Sequence, residues 1–315
     1  MSRVAIIGSG FIGRAWAISY ARAGNDVVLW DREADAPAKA LDYIDGVLDT
    51  LDENGLLNGN SPAAVRGRMS AAGTLEATLD GADHVQENTP EVVEVKREIY
   101  SRLDALAGPD TVLASSTSGI LPSAFTEHLE GRARCLVVHP INPPYLVPAA
   151  EVVPAPWTDP AVVARTRDFL IAAGHAPIVM KKEVDGFVMN RMQGALLQEA
   201  FRLVEEGYAS VEDVDIGIRD GLALRWSFMG PFETIDLNAP GGVRDYVERY
   251  HPLFVRMHET QQHMADWKGE LLDGIEADRR AKLPQDKLVE RQVWRDRRLM
   301  ALAAHKRRAD KDIGN

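Results

Sequence analysis

Cysteine is nearly absent: Cys135 is the only one in 315 residues. A single thiol forms no intramolecular disulfide and no cysteine-rich metal site, which points to a reducing, cytoplasmic compartment. Within the apolar run 135–138 it reads as a small buried hydrophobe. Long apolar runs are missing too: none approaches the roughly 18 consecutive residues of a spanning helix. The opening MSRVAIIGSG runs straight into a strand pattern without a basic, apolar, cleavable leader. Neither a membrane-spanning nor a secreted protein is expected. Positive charge is also short, with 36 Lys and Arg against 47 Asp and Glu and a formal charge of −11. That balance argues against nucleic acid or an anionic membrane held by a general positive field. The one basic stretch, 286–312, carries nine Lys or Arg against five Asp or Glu, with Leu288, Trp294, Leu299, Met300 and Leu302 interspersed. It reads as an amphipathic final helix with a solvated charged face.

What is present is ordinary globular material, 45% hydrophobic and 26% charged, enough for a sizeable core and about two domains. The first half alternates short β-branched runs with helix-period segments. Strands are expected at 4–7, 27–31, 84–86, 112–115, 136–139, 151–153 and 177–180, and helices at 11–23, 38–54, 91–106, 122–129 and 160–173. This is the pattern of an α/β domain, a doubly wound and mostly parallel Rossmann-type sheet. Strand signals stop near residue 181; Gly186 then opens a long amphipathic helix that Gly207 ends, and further helical segments follow. The expected division is a nucleotide-binding domain, 1–183, and an all-α domain, 184–315. No internal repeat or low-complexity linker separates them.

Gly8-x-Gly10-x-x-Gly13 follows a strand and opens a helix, the context in which glycines make a tight turn, admit a pyrophosphate and pack helix on strand. Asp31 ends the second strand eighteen residues after Gly13, where a carboxylate can accept hydrogen bonds from ribose hydroxyls. A 2′-phosphate beside that carboxylate would meet like charge, so NAD is expected over NADP, with the adjacent Arg32 as a counterweight.

A dehydrogenase built on this cofactor needs a base for the hydroxyl proton and donors for the oxygen that becomes a carbonyl. Of eight histidines, His139 alone ends an apolar strand and enters a loop, His139-Pro-Ile-Asn142-Pro-Pro, at the carboxyl end of a strand, where open α/β sheets bind ligands. Glu151, twelve residues on, begins another strand and is placed to accept the other imidazole N–H. On pattern alone, a structural histidine at a strand end stands equally with this catalytic pair.

Six segments, VAIIGSGFIGRAWA, VQENTPEVVEVK, SSTSGILPS, HPINPPYLVPAAEVVP, EVDGFVMNRMQGALLQEAFRLVEEG and GLALRWSFMGPFETIDLN, give a more specific reading. Over essentially its whole length the chain resembles the L-3-hydroxyacyl-CoA dehydrogenase superfamily, and within it the lambda-crystallin or L-gulonate 3-dehydrogenase branch. The resemblance implies His139 as general base, Glu151 as its orienting carboxylate, and Ser118 and Asn190 near the reacting oxygen, with Asn142 in the same polar pocket. It implies Glu91 and Lys96 at the nicotinamide half of NAD, and Phe11, Ile12 and Asp31 at the pyrophosphate and adenosine end. No metal is required. The bland alternatives are a capping role for Ser118, a surface ion pair between Glu91 and Lys96, and a helix-interior polar contact for Asn190.

Arg225 precedes Gly230-Pro231, as an arginine does in the free-acid branches of the superfamily, and its guanidinium could bind a substrate carboxylate bidentately. The alternative is a structural arginine paired with a helix end or with Asp220, and Trp226 reads as simple core. The expected activity is therefore oxidation of a small L-3-hydroxy acid with NAD. A CoA thioester, for which only Arg66 and Arg68 lie between residues 41 and 70 as basic residues, L-carnitine, and a non-catalytic NAD-binding structural protein are the alternatives. The resemblance also implies a homodimer through the helical domain.

Overall fold

The structure, a computed structural model, describes residues 1–314. Eight strands form one sheet: β1 (Arg3–Ile7), β2 (Asp26–Trp30), β3 (Met69–Ala71), β4 (His84–Glu87), β5 (Val112–Ser115), β6 (Cys135–Pro140), β7 (Ala149–Pro154) and β8 (Ala176–Val179). Their order is β3-β2-β1-β4-β5-β6-β7-β8, parallel throughout except for the antiparallel pair β6–β7. The helices between them are α1 (Phe11–Arg22), α2 (Ala36–Glu53), α3 (Pro62–Arg66), α4 (Leu75–Leu79), α5 (Val93–Leu106), α6 (Pro122–Thr126) and α7 (Pro160–Ala172).

The strands are apolar on both sides because both faces are covered. Val4, Ile6, Leu136 and Val138 pack on one face with α1, α2 and α7, while Ala5, Ile7, Leu113 and Val137 pack on the other with α4, α5 and α6. Successive strand residues therefore enter different cores, as the period of two requires. Cys135 is a free, buried cysteine in the second of them.

The chain divides into two compact units, Met1–Met189 together with Arg295–His305, and Asn190–Trp294 together with the residues from Lys306 on. The helical unit contains α8 (Met189–Glu205), α9 (Val211–Ile216), α10 (Ala223–Trp226), α11 (Pro231–Leu237), α12 (Gly242–Thr260) and α13 (Gly269–Lys282), with a π-helical turn, Gly217–Leu222, joining α9 to α10. A capping box between Ser210 and Asp213 starts α9, and Pro231 occupies the first turn of α11 after Gly230. The last helix, α14 (Leu288–Asp312), contributes its middle to the first unit, where Met300, Leu299 and Ala303 join the core. Trp226 is 40% exposed, so it is not core of its own unit. No helix among the described residues is long and apolar enough to cross a membrane.

Two departures from the sequence pattern have physical causes. The helix expected from Gly186 begins at Met189, because Gly186 and Phe187 both have left-handed backbones (φ +75° and +51°). Between Asp31 and His84 the pattern holds one helix, whereas the structure adds α3, β3 and α4, of five, three and five residues. Elements this short show no readable period, and β3 (Met-Ser-Ala) has no β-branched residue. The two compact units meet at Met189 and Asn190, six residues beyond the expected break at 183, and Arg295–His305 from the end of the chain belongs to the first.

Candidate active site

The three glycines of the first turn do three different things. Gly8 has φ +87°, and a Cβ there would lie 2.8 Å from the Asn88 carbonyl oxygen. A Cβ on Gly13 would fall 1.9 Å from the Gly8 carbonyl oxygen, so α1 packs against the turn only because that atom is missing. At Gly10 a Cβ would meet nothing within 4 Å, leaving the loop open to a ligand. Gly10 is also the N-cap of α1, whose first turn carries no acid and no side-chain cap, so its amides and dipole face outward for an anion. Phe11 stands exposed beside this opening and Ile12 is half-buried, while the Arg14 guanidinium lies over the Tyr43 ring.

Asp31 follows β2 immediately, and its Oδ2 accepts hydrogen bonds from the Ser9 amide (2.7 Å) and hydroxyl (3.1 Å). One carboxylate thus ties the end of β2 to the glycine loop and sits where an adenosine ribose is expected.

The loops after β4 and β5 are fixed by two carboxylates. Glu87 is fully buried; Lys96 Nζ donates to both its oxygens at 3.1 Å, Ser115 Oγ donates to Oε2 at 2.6 Å, and the Thr89 amide donates to Oε1. Glu91 Oε1 accepts from the amides of Ser118 (2.9 Å) and Gly119 (3.1 Å) and from the Thr117 hydroxyl. Lys96 consequently does not pair with Glu91 on the surface. Its side chain is 1% exposed and bonds instead to the Glu87 carboxylate and the Thr89 carbonyl, in the loop after β4. Glu91 and Ser118 are brought together at the exposed end of β5.

His139 and Glu151 are register partners across β6 and β7. Imidazole Nδ1 lies 2.6 Å from Glu151 Oε2, and the carboxylate is wholly buried. Its Oε1 accepts from the amides of Val188 (2.6 Å) and Met189 (2.8 Å), at the start of α8. Phe187, also fully buried, places its ring 5.6 Å from the imidazole at an interplanar angle of 57°. Asn142 is exposed in the loop that follows His139. Asn190 and Arg225 belong to the helical unit; Asn190 is the second residue of α8, and Arg225 Nη1 donates to Asn238 Oδ1 at 3.2 Å. Asp220, the structural partner weighed for Arg225, pairs with Arg219. Among the described residues no His, Cys, Asp and Glu group could hold a metal.

A part-buried polar network links α1 to the ends of β4, β5 and β6. Ser116 Oγ accepts from Trp16 Nε1 (3.0 Å) and Gln86 Nε2 (2.7 Å) and donates to Asn88 Oδ1 (2.7 Å). Gln86 Nε2 also donates to the Val138 carbonyl, one residue before His139. Sequence reasoning missed Ser9, Gln86, Glu87, Asn88, Ser116, Thr117 and Phe187. The available signal was polar residues at the ends of apolar strands, QEN after Val85 and SSTS after Ala114.

Residues 3–184 match the 3-hydroxyacyl-CoA dehydrogenase NAD-binding domain, and residues 186–271 match the C-terminal domain of the same enzyme. The chain belongs to the 3-hydroxyacyl-CoA dehydrogenase family. Among this family's members it is 40% identical to a lambda-crystallin homolog of Rattus norvegicus over 303 residues, 95% of each chain. It is 33% identical to an L-carnitine dehydrogenase of a Pseudomonas species over 299 residues, 95% of this chain and 92% of that one. A solved structure of 5-formyl-3-hydroxy-2-methylpyridine 4-carboxylic acid 5-dehydrogenase, an NAD-dependent dismutase, superposes with a TM-score of 0.82 at 28% identity, covering 98% of both chains. Like the family, this chain is an NAD-dependent oxidoreductase, a hydroxy-acid dehydrogenase. The open cradle at Gly10, the uncapped start of α1 and the pinned carboxylate of Asp31 fit that cofactor.

Proposed function

We propose that this family member oxidises the 3-hydroxyl of a small free L-3-hydroxy acid, L-gulonate-like, to the 3-oxo acid. The hydrogen-bonded His139–Glu151 pair at the end of β6 carries the reading. NAD, when bound, supplies the acceptor for the hydride that leaves carbon 3. Glu151 accepts a hydrogen bond from Nδ1–H, which selects the tautomer whose Nε2 lone pair is free to take the substrate hydroxyl proton. The same carboxylate then stabilises the imidazolium that results, while its second oxygen stays anchored on two amides. Ser118 and Asn190 are assigned as donors to the oxygen as it becomes a carbonyl. Glu91 and Asn142 would border the nicotinamide half of the cofactor.

The choice of a free acid is supported by Arg225, which has no carboxylate partner among the described residues and is assigned here as the clamp for the substrate carboxylate. Arg66 is paired with Asp45, and Arg68 donates to Asn60 and the Ala21 carbonyl, so neither offers a free cation to the phosphates of a CoA thioester. Purified protein with NAD is assayed for NADH absorbance in separate samples of L-gulonate, L-carnitine, 3-hydroxybutyrate and 3-hydroxybutyryl-CoA. Reduction with L-gulonate is expected. Reduction with the thioester alone, or with L-carnitine alone, would move the chain to those alternatives, and silence with all four would favour a structural NAD-binding role.

A homodimer through the helical unit belongs to the same proposal. Val243, Val247, Tyr250 and Phe254 form one stripe on α12 and are 42–47% exposed. A second copy covering such a stripe predicts twice the 34.7 kDa chain mass in sedimentation; a monomer at micromolar concentration would count against it.

A further inference from the structure

Two non-glycine residues have left-handed backbones among the described residues, Asn58 and Phe187. Asn58 is an exposed turn residue next to Gly59, and asparagine tolerates this conformation. Phe187 differs in every respect: it is bulky, fully buried and beside the catalytic histidine. Glycine would adopt φ +51° without strain. What glycine would lack is the ring, and the ring lies against the imidazole of His139.

We propose that Phe187 is the positioning residue that fixes the plane and tautomer of His139, an inference that rests on His139 being the base. The Cβ–Cγ bond and a single hydrogen bond from Nδ1 to Glu151 hold one edge of the imidazole and leave coupled changes of its two side-chain torsions open. The phenyl ring tilted over the imidazole closes that freedom and keeps water from the Nδ1–Oε2 bond. The left-handed turn at Phe187 does the second half of the task. It directs the next two amides, of Val188 and Met189, onto Glu151 Oε1, so the carboxylate cannot swing away from the histidine. Ring, imidazole, carboxylate and backbone thus form a closed loop in which each member restrains the next. Strained backbone of this kind persists where surrounding contacts over-determine it, and it clusters at functional sites.

The test uses the full-length protein labelled with 15N-histidine and saturated with NAD, the signal of His139 being identified by its loss in His139→Gln. In the wild type a single Nδ1–H tautomer is expected. Phe187→Leu, which keeps apolar volume, and Phe187→Gly, which relieves the backbone, are both expected to show a mixture of tautomers. Each should lower kcat by roughly 10- to 100-fold on whichever hydroxy acid of the panel is oxidised fastest, with KM and NAD affinity within about twofold. Phe187→Tyr, which retains the ring, should restore the single tautomer. A single wild-type tautomer in Phe187→Leu, or a fall in melting temperature with unchanged kcat, would overturn the proposal. If His139→Gln itself kept wild-type turnover, the base assignment would fail, while the tautomer spectrum would still decide whether Phe187 controls the imidazole.

Discussion

His139 and Glu151 face each other in direct register across the one antiparallel pair of the sheet, Nδ1 2.6 Å from Oε2. The reversal of direction between β6 and β7 brings a loop-edge histidine and a buried carboxylate opposite each other without any long side chain having to reach. His139→Ala is expected to lower kcat by about 10²- to 10⁴-fold, the usual range for a positioned acid–base group, while NAD titrations stay unchanged. Glu151→Gln replaces one acceptor oxygen with a donor facing either an N–H of His139 or two backbone amides, so it should cost roughly 1–3 kcal/mol of stability as well as activity. Turnover at the wild-type level in either variant would remove the pair from the mechanism.

The glycines separate cofactor binding from folding. Gly10→Ala introduces a methyl into open space, so the melting temperature should hardly move while NAD affinity falls, because the methyl stands in the opening beside the α1 amides. Gly13→Ala puts the methyl 1.9 Å from a backbone carbonyl and should destabilise the whole first unit. Thermal melts and NAD titrations on the two variants check this; equal loss of stability in both would show that the open space at Gly10 is not real.

Much of this site is legible in the sequence. The glycine turn, the acid ending β2 and the histidine ending β6 occupy positions that strand period and loop chemistry mark out, and β5 has the same bounds in pattern and in structure. What the pattern hides is pairing. Lys96 is five residues from Glu91 but bonds to Glu87, a partner set by where α5 passes the end of β4. The left-handed Phe187 is hidden too, since sequence rules reserve that backbone for glycine or asparagine, and only contacts to Glu151 and His139 explain it. The middle of α14 is a third case: Met300 completes the first core from the far end of the chain, and local periodicity carries no information on which core a helix joins.

Lys96 and Glu87 make a buried ion pair whose members are 1% and 0% exposed. Lys96→Met would leave the carboxylate without its counter-charge, a change worth about 3–5 kcal/mol. Replacing both, with Glu87→Gln added, should recover part of that loss, because the Thr89 amide can still donate to an amide oxygen while the Ser115 hydroxyl turns to accept from the amide nitrogen. Urea unfolding of the two single variants and the double variant measures the coupling; additive losses would show that the pair does not act as a unit.

Acid is expected to weaken the fold. His84 and His175 are buried beside Tyr20 and Trp16, and burial lowers both from the ordinary value of 6.5 to about 4, against hydrogen bonds to Gln86 and to the Pro148 carbonyl that pull the other way. Both are therefore neutral in the fold and become protonated more readily in the unfolded chain. Their neutral state costs the fold nothing above pH 6.5, and as pH falls from there towards 4 the unfolded chain takes up protons that the fold refuses, so stability declines across that window. The loss at its lower end is on the order of 3 kcal/mol for each histidine. Unfolding midpoints between these limits should fall steeply in the wild type and less steeply in a His84→Gln, His175→Gln double variant. An equal slope in the two proteins would place the acid sensitivity elsewhere.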